Sequence, residues 1–455
     1  MKQHTSHLRQ SDTRLLRAVI AAGLGVIFLS LAYGFLSTWL GTGIGPLLFW
    51  KAAKDIVIAV LALIMLGWIA ADWRRRKRVL FEPVMMMIML YGLVMSLVTL
   101  AQWNGLTNQL LAGVIFDTRY LLLFSVMYST QYFLATMRWR DEIKRLIVVS
   151  TMVLVVIGIL QVTILPADFL TQFGYSDQTI APVSTIDANP EARRAFATMS
   201  GPNDYGAFMI LSLAICVVMM QSGWQRWAAI GVAAIGLYIS GSRSAWLGAI
   251  VAVLALAVIR LGRRIMNSRG IAIAILSIVI SISTLLYLAT IIPQLRLAVF
   301  HSSPGDSHLT EGSTDLHWQH TMDGVRRVAA HPWGCGSGCA GPASLYSDEP
   351  RISENYYVQI AEETGVIGLI MWSVLFGMML RQLYCNRQDP WALALLASGI
   401  GLAVVGFWLH VWADDAVSLA WWGLAGLILG QTTGQNKEKA LSLHTYSHDK
   451  KENKN

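Results

Sequence analysis

The chain is short of charge. Asp, Glu, Lys and Arg make up 14% of its 455 residues, against about 25% in an ordinary soluble domain. Cysteine is scarce as well. Four in the whole chain exclude a scaffold built on disulfides, and no two of them form a CxxC pair. Disorder is excluded by the reverse argument: 55% of residues belong to the AVILMFWYC set and little charge repulsion opposes collapse. A single soluble core is excluded too, because the apolar residues come in runs of about twenty and the mean hydropathy is +0.51. The net charge of +8 would suit nucleic acid, but the basic residues sit in short clusters between apolar runs, where they mark membrane ends. No nucleic-acid partner is expected.

What the sequence does have is a succession of bilayer-length segments. About twelve spans are predicted, near residues 17–39, 51–71, 79–101, 110–135, 146–165, 203–221, 225–241, 245–262, 271–292, 356–380, 391–412 and 415–433. The first run is too long for a cleaved signal peptide and no small-residue cleavage site follows it. The reading is an all-α integral membrane protein, with an N-terminal tail (1–16), a polytopic domain (17–433) and a polar, Lys-rich tail (434–455) expected to be disordered.

Charge sets the orientation. With the N-terminus inside, cytoplasmic segments hold 25 of the 35 Lys and Arg residues, the firmest cluster being WRRRKR at 73–78. The positive-inside rule then places both termini in the cytoplasm, with a bacterial inner membrane as the setting. Two sizeable loops, 166–202 and 293–355, fall outside, and chemistry is expected there. Cys335 and Cys339 lie in the second; a disulfide and two free thiols both remain open.

In such a protein the informative residues are charges near the hydrocarbon. Arg119 starts the fourth span, two residues after Asp117, and reads either as an anion ligand or as one half of a capping pair. Arg243 sits in SGSRSAW, where a tight Gly/Ser turn meets a helix start; exposed N–H groups and a planar guanidinium together suit phosphate oxygens. Arg193 and Arg194 lead from the first outer loop into the sixth span, whose start is marked by Pro202-Asn203. Lys51, Lys54 and Asp55 read as interfacial anchors. The second outer loop holds His301, His308, His317, His320 and His331, half of the ten histidines, and ends at Glu354-Asn355. A histidine, or a carboxylate at a low-dielectric edge, can take a proton near neutral pH. Trp318, Trp333, Tyr356, Tyr357 and Trp412 could stack on sugars or form the interfacial belt. His410, Asp414 and Asp415, near the end of the eleventh span, could line the outer cavity or relay protons.

Five stretches, in order, resemble the O-antigen ligase and Wzy-type polysaccharide polymerase family. DTRYLLLFS is similar to its Arg-bearing helix. RAFATMSGPNDYGAF is similar to its Arg-x-x-Gly segment ending in Pro-Asn, with Ala197 where glycine is usual. SGSRSAWLGAIVAVLAL resembles its Ser-Arg turn, HWQHTMDGVRRVAAHPWGCGSGCAGP its Gly-rich loop, and ENYYVQIAEETGVIGLIMW the helix that follows. The stretches run from 117 to about 375. The ligases carry histidine where this chain has Glu354, and His317 lies 37 residues upstream; that pattern looks more like the polymerase branch.

The resemblance implies a GT-C-like, metal-independent membrane glycosyltransferase that needs no cofactor. Its donor would be an undecaprenyl-pyrophosphate-linked oligosaccharide and its acceptor a glycan lipid, among membrane lipids, in O-antigen, capsule or exopolysaccharide synthesis. A chain-length regulator stays open as a partner. Arg119, Arg194 and Arg243 would hold the pyrophosphate, supported by Arg193, Asn203 and Asn355. Glu354 would be the base, with His317 as rival or partner. The alternatives are a ligase acting on lipid A-core and, from another class, a transporter. A transporter would place its polar groups near the bilayer midplane and show repeats, whereas here they cluster at the outer span ends.

Overall fold

The computed structural model describes residues 9–135, 139–186, 189–221, 223–261 and 313–452. The expected ninth span, His301 and His308 lie outside the described residues. The fold is helical. Among the described residues, eight helices are long and apolar enough to cross a membrane: α1 (Gln10–Ser30), α3 (Leu47–Ala70), α5 (Pro83–Ala101), α6 (Asn108–Leu134), α7 (Arg140–Thr163), α8 (Pro202–Met219), α10 (from Arg243, to Leu261) and α12 (Tyr356–Cys385). The shorter α9 (Trp224–Ile239) and α13 (Pro390–Val405) and the long α14 (Asp415–Glu452) pack with them. Short helices α2 (Tyr33–Gly43), α4 (Trp73–Leu80) and α11 (Ser313–Ala330) lie between them.

The loops are less all-α than the sequence suggests. The first outer loop contains a two-stranded antiparallel hairpin, β1 (Ser184–Ile186) with β2 (Asn189–Arg194). The eleventh span ends at Val405 rather than near 412, because the chain turns through 406–414. The tail after Gly434 continues α14 as far as Glu452. Its Lys, Glu, Ala and Leu residues are helix formers, and α14 is already helical when it reaches them, so no new nucleus is needed.

The core forms where α14 crosses α6. Gly426, Gly430 and Gly434, spaced four apart, lie on one face of α14 against the backbone carbonyls of Phe124, Tyr128 and Tyr132 on α6. Small residues at this spacing let two helix backbones approach. Above them, Trp372, Phe376, Trp412, Trp421 and Trp422 pack edge to face and stacked. Trp412 is fully buried there, so it is neither an interfacial nor a sugar-stacking residue. Tyr356 is also buried, its hydroxyl 3.0 Å from that of Tyr120.

The break in α12 organises one end of the bundle. Gly365 has φ 73°, so the helix interrupts there and the carbonyls of Glu362 and Glu363 lose their helical partners. The loop 332–339 replaces them. The Cys335 N–H donates to Glu362 O at 2.8 Å, the Gly336 N–H to Glu363 O at 2.9 Å, and Val366 N–H to Pro332 O at 3.0 Å. Gly334, Gly336 and Gly338 adopt φ of 90°, 91° and 83°, a region closed to side chains. A Cβ on Gly334 would stand 2.6 Å from the Gly365 nitrogen. Gly334→Ala is therefore expected to undo the loop–helix junction, with loss of folded protein from the membrane fraction. Cys335 and Cys339 are joined by a disulfide within this loop.

Candidate functional site

Side chains from several helices meet at the end of the bundle formed by the 31–46, 164–201, 240–242, 331–355 and 406–414 connections. Arg194 ends β2. Its Nε donates to the Ser240 carbonyl at 2.9 Å and its Nη2 to Asn203 Oδ1 at 2.8 Å. Arg194 thus lies along the Ser240–Gly241–Ser242 turn that delivers Arg243 to the first position of α10. Neighbouring strand residues point to opposite sides, and Arg193 accordingly turns away to donate to Leu165 O at 2.8 Å.

This corner is held by a strained backbone. Ala197 has φ 51°, a left-handed conformation that costs a residue with Cβ about 1–2 kcal/mol. Gln161 on α7 secures it: its Oε1 accepts from Ala197 N–H at 2.7 Å and its Nε2 donates to Ala197 O at 2.8 Å. The usual glycine at this position now has a physical reason.

Glu354 has φ 51° as well. Asn355 fixes it from the C-terminal side, capping α12 through Tyr357 N–H (3.0 Å) and Val358 N–H (3.1 Å) and donating to Phe407 O at 3.1 Å. The Glu354 carboxylate lies between two imidazoles of α11: Oε2 meets Nδ1 of His317, and Oε1 is 3.6 Å from Nδ1 of His320. Burial pushes His317 below the ordinary imidazole range, and the nearby Arg243 cation and His320 push it further. His317 and Arg243 therefore share one neighbourhood.

His410, in the 406–414 turn, adjoins this group. Its Nδ1 is 2.7 Å from Gln359 Oε1. Burial, with His317 beside it, pushes its pKa down to about 4. Gln359 in turn donates to Glu363 at 3.3 Å, and Glu363 lies against Asp117, which also contacts Ser337. A second carboxylate pair, Asp204 with Asp414, sits at the start of α8. Burial pushes Asp414 well above the usual carboxylate range and Asp204 adds to this, as expected for acids that share a proton.

Arg119 lies in a buried network at the same end. Its guanidinium meets the Ala413 carbonyl and Asp415 and is 3.9 Å from Asp55. Lys54 is 2.8 Å from Asp415 and 3.0 Å from Asp55. Lys54 is 4% exposed, so it is an interior cation, not an interfacial anchor. Asp117 does not cap Arg119; it turns to Ser337 and Glu363. Removing one partner from such a network strands a buried charge, at about 3–5 kcal/mol. Arg119→Ala should therefore lower the thermal stability and membrane abundance of the protein, as read by a thermal shift in detergent.

In chemical terms, the site joins a guanidinium-rich turn, suited to an anion, to neutral imidazoles with a carboxylate behind them, suited to accepting a proton. Residues 228–373 match the family model described as O-Antigen ligase, Wzy_C. They carry Arg243, His317 and Glu354, with both walls of the α12 break. An O-antigen polymerase of Salmonella muenchen is 27% identical over 209 residues, covering 45% of this chain. Over these stretches the chain is similar to the O-antigen ligase/Wzy family. The match spans about half, 51%, of that relative's length.

The structure brings Arg194, Asn203 and Arg243 to one turn and His317 to Glu354 and Asn355. It places Arg119 in the neighbouring ion-pair network and turns Arg193 away. Sequence reasoning passed over Asp204, Gln359 and Glu363. Their signal was present, as polar residues inside apolar spans, but their pairing depends on which helices touch.

Proposed function

We propose that the protein is a polysaccharide polymerase. It takes a glycan from undecaprenyl pyrophosphate and transfers it to a sugar hydroxyl of a second lipid-linked glycan at the periplasmic face of the inner membrane. The observation that carries this reading is the meeting of Arg194 and Arg243 at one turn, with the His317–Glu354 pair beside Arg243.

In the reaction, the anomeric carbon–phosphate oxygen bond breaks and its electron pair leaves with the diphosphate. The acceptor oxygen attacks from the opposite side, inverting the centre, and its proton passes to the base. The leaving group is strongly anionic, so fixed donors at the developing charge are the main requirement; Arg194 and Arg243 supply them. Arg119, already matched by carboxylates, holds the wall of the site. Glu354 orients His317 through Nδ1, which leaves Nε2 to take the proton.

Two observations favour this version. The named relative is a polymerase, and Glu354 stands where ligases carry histidine. The disulfide in the outer loop supports an oxidising compartment for that end of the bundle. Deletion of the gene tests the choice of acceptor. Polymerase loss should leave single repeats attached to lipid A-core on a gel; a pattern with no attached repeats would assign the ligase role instead.

A further inference from the structure

A cavity lies on the α5–α6 flank of the same end, and no residue of the α9–α10 turn that carries Arg243 lines it. Its volume is about 390 Å³, within the range of small-ligand pockets. Its walls come from the 102–107 turn, the disulfide-closed loop 335–339 and residues 347–351. The lining is almost free of aliphatic groups. Trp103 presents a half-exposed indole. Asn104, Glu349 and Arg351 also line the cavity, and their side chains make no hydrogen bond or ion pair among the described residues. One carboxylate and one guanidinium leave no net charge for a phosphate. A flat aromatic surface with uncommitted amide, carboxylate and guanidinium groups instead suits a neutral polyol, which offers a C–H face and a rim of hydroxyls.

The cavity is tied to the reacting groups. Its Ser337 contacts Asp117, and the Gly338 N–H donates to Glu363 at 3.0 Å. Arg351 is three residues before Glu354, so at most about 11 Å of chain separates the wall from the base's partner. We infer that this cavity is a glycan subsite that holds a sugar of the acceptor while its neighbouring hydroxyl is presented to His317. The inference rests on the polymerase reading above.

The test uses the full-length protein in detergent, with two probes. The first is the free repeat-unit oligosaccharide, carrying neither lipid nor phosphate, followed by saturation-transfer NMR. The second is lipid-linked repeat unit in a polymerisation assay. Trp103→Ala should abolish the saturation-transfer signal and raise the acceptor KM about tenfold, as loss of one aromatic contact allows, with kcat within about twofold. Asn104→Ala, on an exposed turn, should act in the same direction and guards against misfolding of the first variant. Arg243→Lys should keep oligosaccharide binding while losing transfer. Unchanged binding and KM in both cavity variants, with Arg243→Lys inactive, would overturn the subsite alone. An active Arg243→Lys would overturn the polymerase reading, whatever the cavity binds.

Discussion

Arg243→Lys is expected to abolish chain elongation while leaving the protein at normal abundance in the membrane. Lysine keeps the charge but presents a single ammonium in place of a planar fork. On the proposed reading the fork is needed at Arg243, because a departing diphosphate spreads its charge over several oxygens and bidentate contacts follow that spread. Loss of one such preorganised donor costs about a hundredfold to a thousandfold in rate. Arg194→Lys should be milder in phosphate binding but harsher on structure, since Arg194 also holds Ser240 O and Asn203 in place. Polymer length on a gel, with membrane abundance by immunoblot, separates the two. Long chains from an Arg194→Ala, Arg243→Ala double variant would end the diphosphate reading.

His317→Ala and Glu354→Gln should each lower the polymerisation rate by about a hundredfold to ten-thousandfold, the usual worth of a positioned base. If the two act as one unit, the double variant should be little worse than either single one. Additive losses would separate their roles and return Glu354 to the part of an independent base. The pH profile gives a second readout. His317 is held below the ordinary imidazole value of 6.5, so its neutral, proton-accepting form persists on acidification through that value. The rate should stay level near pH 6.5 and fall only beneath it, as the imidazole charges. Glu354→Gln should shift this fall, because the carboxylate beside Nδ1 favours the charged ring.

Several elements were legible in the sequence because their cause is local. Bilayer-length apolar runs gave spans whose ends agree with the helices to within a few residues over α3, α5 and α8 to α10. The Pro202-Asn203 start of α8 and the Arg243 start of α10 follow from the chemistry of a helix N-terminus, whereas Asn355, read as a supporting anion ligand, is the cap of α12. The Gly-rich loop was legible as a motif, though not its purpose. Nothing in GCGSGC says that its amides complete a broken helix, because that helix lies beyond it in the chain.

Other features had no local cause. Lys54 and Asp55 have the spacing of interfacial anchors, yet Arg119, on α6, and Asp415, near the other end of the chain, draw them inside. Trp412 ends a predicted span, where an aromatic belt is the ordinary expectation; the turn at 406–414 folds it into the core instead. His317 and Glu354 were set side by side as rivals or partners, and only the docking of α11 beside the start of α12 brings the two side chains into contact.

By itself the sequence determined that this chain is a helical membrane protein and which residues carry charge near its outer ends, since the cost of exposing backbone and charge to hydrocarbon acts on each segment separately. The tertiary structure alone decided which of those charges face one another. A guanidinium neutralised by two carboxylates and one laid along a Gly/Ser turn are the same residue type at the same end of the bundle, and they differ only in the elements packed around them.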